Sequence, residues 1–139
     1  MKVKDFRITG VIPQRSPIVM VDELTYCDEY SATTKFCIES DNIFCENNFF
    51  QEVGIIENIA QTAAAMSGHK LLLNNQPIKL GFIGAIKNLH VYRLPIVFST
   101  IETTVTIENK VMNVQFIKGI VRVGDNIIAE CEMKIFLEE

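Results

Sequence analysis

One stretch has the composition of a long helix: residues 53–73 carry no proline, are rich in Ala, Ile and Leu, and stop at Asn74-Asn75-Gln76-Pro77. Everything after it reads as strand. Residues 78–94, 98–108, 111–123 and 126–137 are β-prone runs, with turns signalled by Glu108-Asn109-Lys110 and Val123-Gly124-Asp125-Asn126. In the last run Ile127, Ala129, Cys131, Met133, Ile135 and Leu137 alternate with Ile128, Glu130, Glu132, Lys134 and Phe136, the period of a sheet with one more buried face. Before the helix, 18–26 and 31–38 form a hairpin about Asp28-Glu29-Tyr30. Hairpin, one helix, then four antiparallel strands is an α+β order, with one helix against one sheet.

The helix composition says how it packs. Counting from Glu57, the residues Gln61, Ala64 and Gly68 fall on one stripe, while Ile55, Ile59, Thr62 and Met66 lie roughly opposite. Bulky residues on one side and small ones over much of the rest suit a helix that is closely surrounded, as by a curved sheet wrapped around it.

A length of 139 residues argues for one domain spanning 1–139. Hydrophobic residues at 48% and charged residues at 22% place it among globular chains. Thirteen Lys and Arg against seventeen Asp and Glu give −4 with no basic block, which disfavours a nucleic-acid partner but leaves room for an acidic carrier protein met by a few local cations. The first ten residues lack the apolar core of a signal peptide and no run reaches the roughly 18 apolar residues of a membrane span, so the expected compartment is the cytoplasm. Cys27, Cys37, Cys45 and Cys131 form no C-x-x-C pattern. With only His69 and His90 to add, no metal site is expected, and the cysteines read as reduced and mostly buried.

Within residues 53–68 the only charged side chain is Glu57. A carboxylate among apolar neighbours costs free energy unless it is paired, hydrogen-bonded or protonated, and such settings suit a carboxyl to proton transfer. The same residue also fits a first-turn acid that complements the helix dipole. Gln61, one turn on, either orients that carboxylate or bonds to a neighbouring loop. Gly54 is either a tight helix start or a place where backbone N–H groups approach a ligand oxygen. Ala64 and Gly68 either line a ligand channel or mark close packing.

Three segments, in order, carry a family resemblance: Ile12-Pro-Gln-Arg-Ser-Pro-Ile-Val-Met-Val-Asp22, Gly54-Ile-Ile-Glu-Asn-Ile-Ala-Gln61 and Gly81-Phe-Ile-Gly-Ala-Ile-Lys-Asn-Leu-His-Val-Tyr-Arg-Leu-Pro95. They resemble landmarks of the 3-hydroxyacyl-ACP dehydratases of the hotdog fold, above all the divergent dehydratase-like proteins of bacterial fatty-acid and aryl-polyene-type gene clusters. The resemblance implies an antiparallel sheet wrapped around one long central helix. It implies a substrate held as a thioester on the phosphopantetheine of acyl carrier protein or on CoA, with no other cofactor. It also implies a helix Glu working across a dimer interface with a His from the loop before that helix. Glu57 occupies the Glu position. The loop at 42–52 holds no histidine, and the Pro-His-Arg of many relatives is Pro13-Gln14-Arg15 here. Asn47 and Asn48 are the loop amides left to hold a thioester carbonyl or water, but an amide cannot replace imidazole in proton transfer.

Three functions are therefore in play: a dehydratase acting on 3-hydroxyacyl thioesters, a thioesterase using Glu57 as nucleophile or base, and a non-catalytic subunit paired with an active dehydratase. The family resemblance implies a homodimer, with a heterodimer as the variant that the third reading needs. Arg15, Lys87 and Arg93 are the candidate carrier-docking cations.

Overall fold

The computed structural model describes residues 8–138, and all ranges below lie within them. Its elements are α1 (Ile8–Val11), β1 (Glu23–Cys27), β2 (Ser31–Cys37), β3 (Cys45–Glu46), β4 (Phe49–Phe50), α2 (Glu52–Leu73), β5 (Gly81–Val91), β6 (Thr100–Val111), β7 (Val114–Val123) and β8 (Asn126–Leu137). Six strands make one sheet in the order β1-β2-β6-β7-β8-β5, with every neighbouring pair antiparallel.

The 22 residues of α2 form a rod of about 33 Å. Its Ile55, Ile59, Ala63 and Met66 are buried in one core with Ile101, Val105, Ile117, Val121 and Cys131 of the sheet. Burial extends well round the helix and takes in Asn58, Gln61, Thr62, Gly68 and His69 as well. This is the enclosure that its mixture of bulky and small residues required.

The structure departs from the sequence pattern in four places. The first strand starts at Glu23, not at residue 18, because residues 12–22 run as an irregular strap held by helix side chains in place of a strand ladder. The chain from Cys45 to Phe50 is a miniature hairpin of its own. A short helix, α1, packs on α2. In β8 the alternation breaks: Val121 faces Ala129 but Arg122 faces Ile127, leaving Ile128 as an extra residue in a bulge. Ile128 and Ala129 are consequently both buried while Ile127 is exposed, which corrects the expected inward position of Ile127.

The edge strand β5 pairs only with β8 and is not buried at any position. Phe82, Ile83 and Ile86 stand exposed on it, a long apolar edge of the kind that native proteins cover. None of the described helices is long and apolar enough to cross a membrane.

Candidate functional site

Glu57 lies in the second turn of α2, partly exposed, with Ile55, Asn58 and Ile59 buried around it. Its Oε1 accepts a hydrogen bond of 2.8 Å from Nε2 of Gln61, one turn further on. Gln61 is itself fully buried and does more than orient the carboxylate. The same Nε2 donates to the Ile18 carbonyl at 2.8 Å, and Oε1 accepts from the Met20 N–H at 2.6 Å. Gln61 therefore bonds both to Glu57 and to the strap.

Asn58 extends this clamp. Its Nδ2 donates to the Met20 carbonyl at 2.8 Å and its Oδ1 accepts from the Thr103 hydroxyl at 2.5 Å. The Thr62 hydroxyl donates to the Asn58 carbonyl and lies 2.8 Å from that of Thr34. These buried polar groups are mutually satisfied, so they fix the strap, the helix and two strands in one register without an unpaired cost. Sequence reasoning passed over Asn58, Thr62, Thr34 and Thr103. The available signal was Asn58, a poor interior helix former beside Glu57 in an otherwise largely apolar segment.

The remaining candidates separate. Asn47 and Asn48 have φ of 53° and 69° and form the exposed two-residue turn between β3 and β4, where both central positions need left-handed backbone that Asn tolerates. Gly54 is buried under an aromatic ring: a Cβ there would sit 2.5 Å from the Phe50 side chain. Its N–H already donates to the Gln51 carbonyl at 3.0 Å, so it offers no free donor to a ligand oxygen. Gly68 seats the backbone of α1, for a Cβ would come to 1.7 Å from the Val11 carbonyl oxygen. Of the small-residue stripe only Ala64 borders open space. With Ala60, Phe82 and Ile83 it lines a cavity of about 30 Å³ between α2 and the edge strand, on the same helix face as Glu57 and within two to three turns of it.

Arg15 donates to the Ile12 and Gln14 carbonyls and so closes its own turn. Lys87 and Arg93 are exposed. His69 is buried near the far end of α2, where burial pushes its imidazole below the usual value. His90 is exposed and stacks on Tyr92 with ring centres 6.1 Å apart. Among the described residues no group of His, Cys, Asp and Glu is arranged to hold a metal ion. Both Cys27 and Cys131 are buried in the core; burial raises the thiol of Cys27, and burial followed by the charge of Glu132 raises that of Cys131 to about 11.

The sheet-wrapped helix thus carries a partly exposed carboxylate that is hydrogen-bonded to an amide one turn away. The sequence model of the ApeP-like family, described as ApeP dehydratase, matches residues 6–139. This chain belongs to the ApeP-like dehydratase family. No functionally curated protein matches it in sequence.

Solved structures with the same fold share little sequence with this ApeP-like chain. The dehydratase heterocomplex ApeI:P from Xenorhabdus doucetiae superposes with a TM-score of 0.92 at 10% identity, covering 98% of this chain and 93% of that one. Cj0977, a sigma28-regulated virulence protein from Campylobacter jejuni, gives 0.72 at 10% identity over 96% and 97%. The PaaI protein from the phenylacetic acid degradation operon of E. coli gives 0.67 at 10% identity over 82% and 81%. At such identities the likeness shows the fold, which is the hotdog arrangement of an antiparallel sheet around one long helix.

Proposed function

We propose that this ApeP-like protein is the carboxylate-bearing subunit of a dehydratase that removes water from 3-hydroxyacyl thioesters, with the imidazole supplied by a second hotdog chain of different sequence. The observation that carries it is Glu57 itself, partly exposed on the helix face that turns towards the uncovered edge strand and oriented by Gln61. Elimination of water needs a base for the α-proton and an acid for the departing hydroxyl, and each positioned group contributes about 10² to 10⁴-fold. Glu57 is one such group. The loop 42–52 offers no histidine, His69 lies twelve residues further along the same helix, about 18 Å away, and His90 falls in β5.

A homodimer would bring two copies of Glu57 together and still no loop histidine, so the chemistry favours an unlike partner over the homodimer expected from the family resemblance. The exposed Phe82, Ile83 and Ile86 of β5 give that partner an edge to extend by strand pairing. The structural likeness to a dehydratase heterocomplex supports the same arrangement. The acyl chain would arrive on acyl carrier protein or CoA, and no other cofactor is required.

The test is intact-mass analysis of a 3-hydroxyacyl carrier-protein panel incubated with this chain alone, with a co-expressed hotdog partner that carries a loop histidine, and with the same pair bearing Glu57→Gln. Loss of one water by the pair, abolished in Glu57→Gln, is the expected result. Loss of the whole acyl group would replace this reading by a thioesterase. Dehydration by the pair that survives Glu57→Gln would reduce this chain to a non-catalytic partner.

A further inference from the structure

A sizeable cavity lies away from Glu57. It holds about 830 Å³, within the size of small-molecule sites, and opens at the C-terminal end of α2. Lys70, one of its lining residues, stands thirteen positions after Glu57, about 20 Å along the helix axis. Nothing in the dehydration chemistry uses this end of the molecule.

Three kinds of group converge there. Lys70, Lys79 and Lys110 all line the cavity, are exposed, and make no ion pair among the described residues. Met66, Leu71 and Ile107 supply an apolar wall. The third group is Gln115, only 4% exposed, whose Nε2 donates to Ser67 at 3.4 Å while its Oε1 is buried with no hydrogen-bond partner. A buried amide oxygen without a donor costs about 1 to 3 kcal/mol. Ser67, Lys79 and Gln115 also border the adjoining cavity of about 30 Å³, which has room for one small group and whose wall includes Gln14, with a second buried and unpartnered amide oxygen.

The geometry points to a second ligand site here, for an organic monoanion with an apolar body and a hydroxyl group. The anionic end meets the lysine ammoniums, the body lies on Met66, Leu71 and Ile107, and the hydroxyl enters the small cavity and donates to Gln115. The carboxylates at the rim weigh against a more highly charged ligand. Glu29 and Glu138 line the same space, and Glu138 is held by the Leu80 N–H at 2.7 Å, so the lining carries a net charge near +1.

Isothermal titration calorimetry of the full chain with 3-hydroxydecanoate and with decanoate tests this. The expected result is binding of the hydroxy acid at least about tenfold tighter than decanoate. The Lys70→Gln, Lys79→Gln, Lys110→Gln triple variant should weaken both acids, and Gln115→Leu should erase the preference between them. Glu57→Gln should leave the affinities unchanged, which separates this site from the proposed dehydratase site. Equal affinity for the two acids in the unaltered chain would mean that water or Lys79 satisfies Gln115, and would overturn the proposal. So would binding abolished by Glu57→Gln, or no heat at about 1 mM ligand. Circular dichroism of each variant confirms folding, and the exposed lysine variants decide the matter should Gln115→Leu not fold.

Discussion

Replacing Gln61 by methionine tests the claim that one side chain both holds the strap and orients the site. Methionine nearly matches glutamine in shape but removes three hydrogen bonds, to the Ile18 carbonyl, the Met20 N–H and Glu57. Two are to neutral backbone groups at about 1 kcal/mol each, and the bond to the partly exposed carboxylate is of similar size. The Met20 N–H, on a residue with no exposure, is then left without its acceptor, which adds about 1 to 2 kcal/mol. The gain from burying a thioether returns about 1 kcal/mol. The net loss is about 3 kcal/mol, equivalent to roughly 10 °C in Tm for a chain of this size. Urea unfolding followed by circular dichroism should show a lower midpoint with an unchanged slope. Glu57→Gln, by contrast, should move the midpoint little, because that side chain is partly exposed. A loss below about 1 kcal/mol in Gln61→Met would show that the strap is held by something else.

Gly68→Ala would place a methyl group 1.7 Å from the Val11 carbonyl oxygen, so α1 must lift from the helix, and thermal unfolding should show a loss of several °C with new protease cleavage before residue 12. Asp28 accepts from the Tyr26 hydroxyl and from the Tyr30 and Ser31 N–H groups, which together hold its carboxyl down at about 2 against an ordinary 3.8. Its contribution to the β1–β2 turn is thus complete above about pH 4 and is lost as pH falls towards 2, and Asp28→Asn should flatten this part of the acid-unfolding curve. Ile83→Lys with Ile86→Lys places charge on two of the three exposed apolar sites of β5, so light scattering should show reduced association while the thermal midpoint of the isolated chain stays within a few °C.

The order of the long helix and of the six strands of the main sheet was legible because each rests on a local rule, whereas α1 and the β3–β4 hairpin were not. The Ala-, Ile- and Leu-rich run 53–73 without proline reads as a helix, and turn residues separate β-prone runs at the later boundaries. Glu57 was legible for a different reason, as the single charge in an apolar helix segment. Gln61 was legible as its neighbour at i+4, though with two roles still open. The strap at 12–22 was not, since its Ile-Val-Met-Val run has strand composition and only the helix amides show that its backbone groups are satisfied without a ladder. The bulge at Ile128 was equally hidden, because Ile127 and Ile128 are the same residue type and register is a property of the pair of strands.

The sequence by itself determined the long helix, the strands of the main sheet, the antiparallel α+β class and the lone helix carboxylate, all of which depend on residue type at spacings of a few positions. Tertiary structure alone decided what the small residues are for. Gly54 is shaped by the Phe50 ring, Gly68 by the Val11 carbonyl and Ala64 by open space beside the edge strand, although all three are small positions of one helix. It also decided that Asn47 and Asn48 turn a hairpin and that Gln115, 48 positions from Ser67, closes a cavity with an amide oxygen left unpaired. The physical reason is that packing distances and hydrogen-bond partners are set by atoms far apart in the chain, and no local pattern encodes which of them will meet.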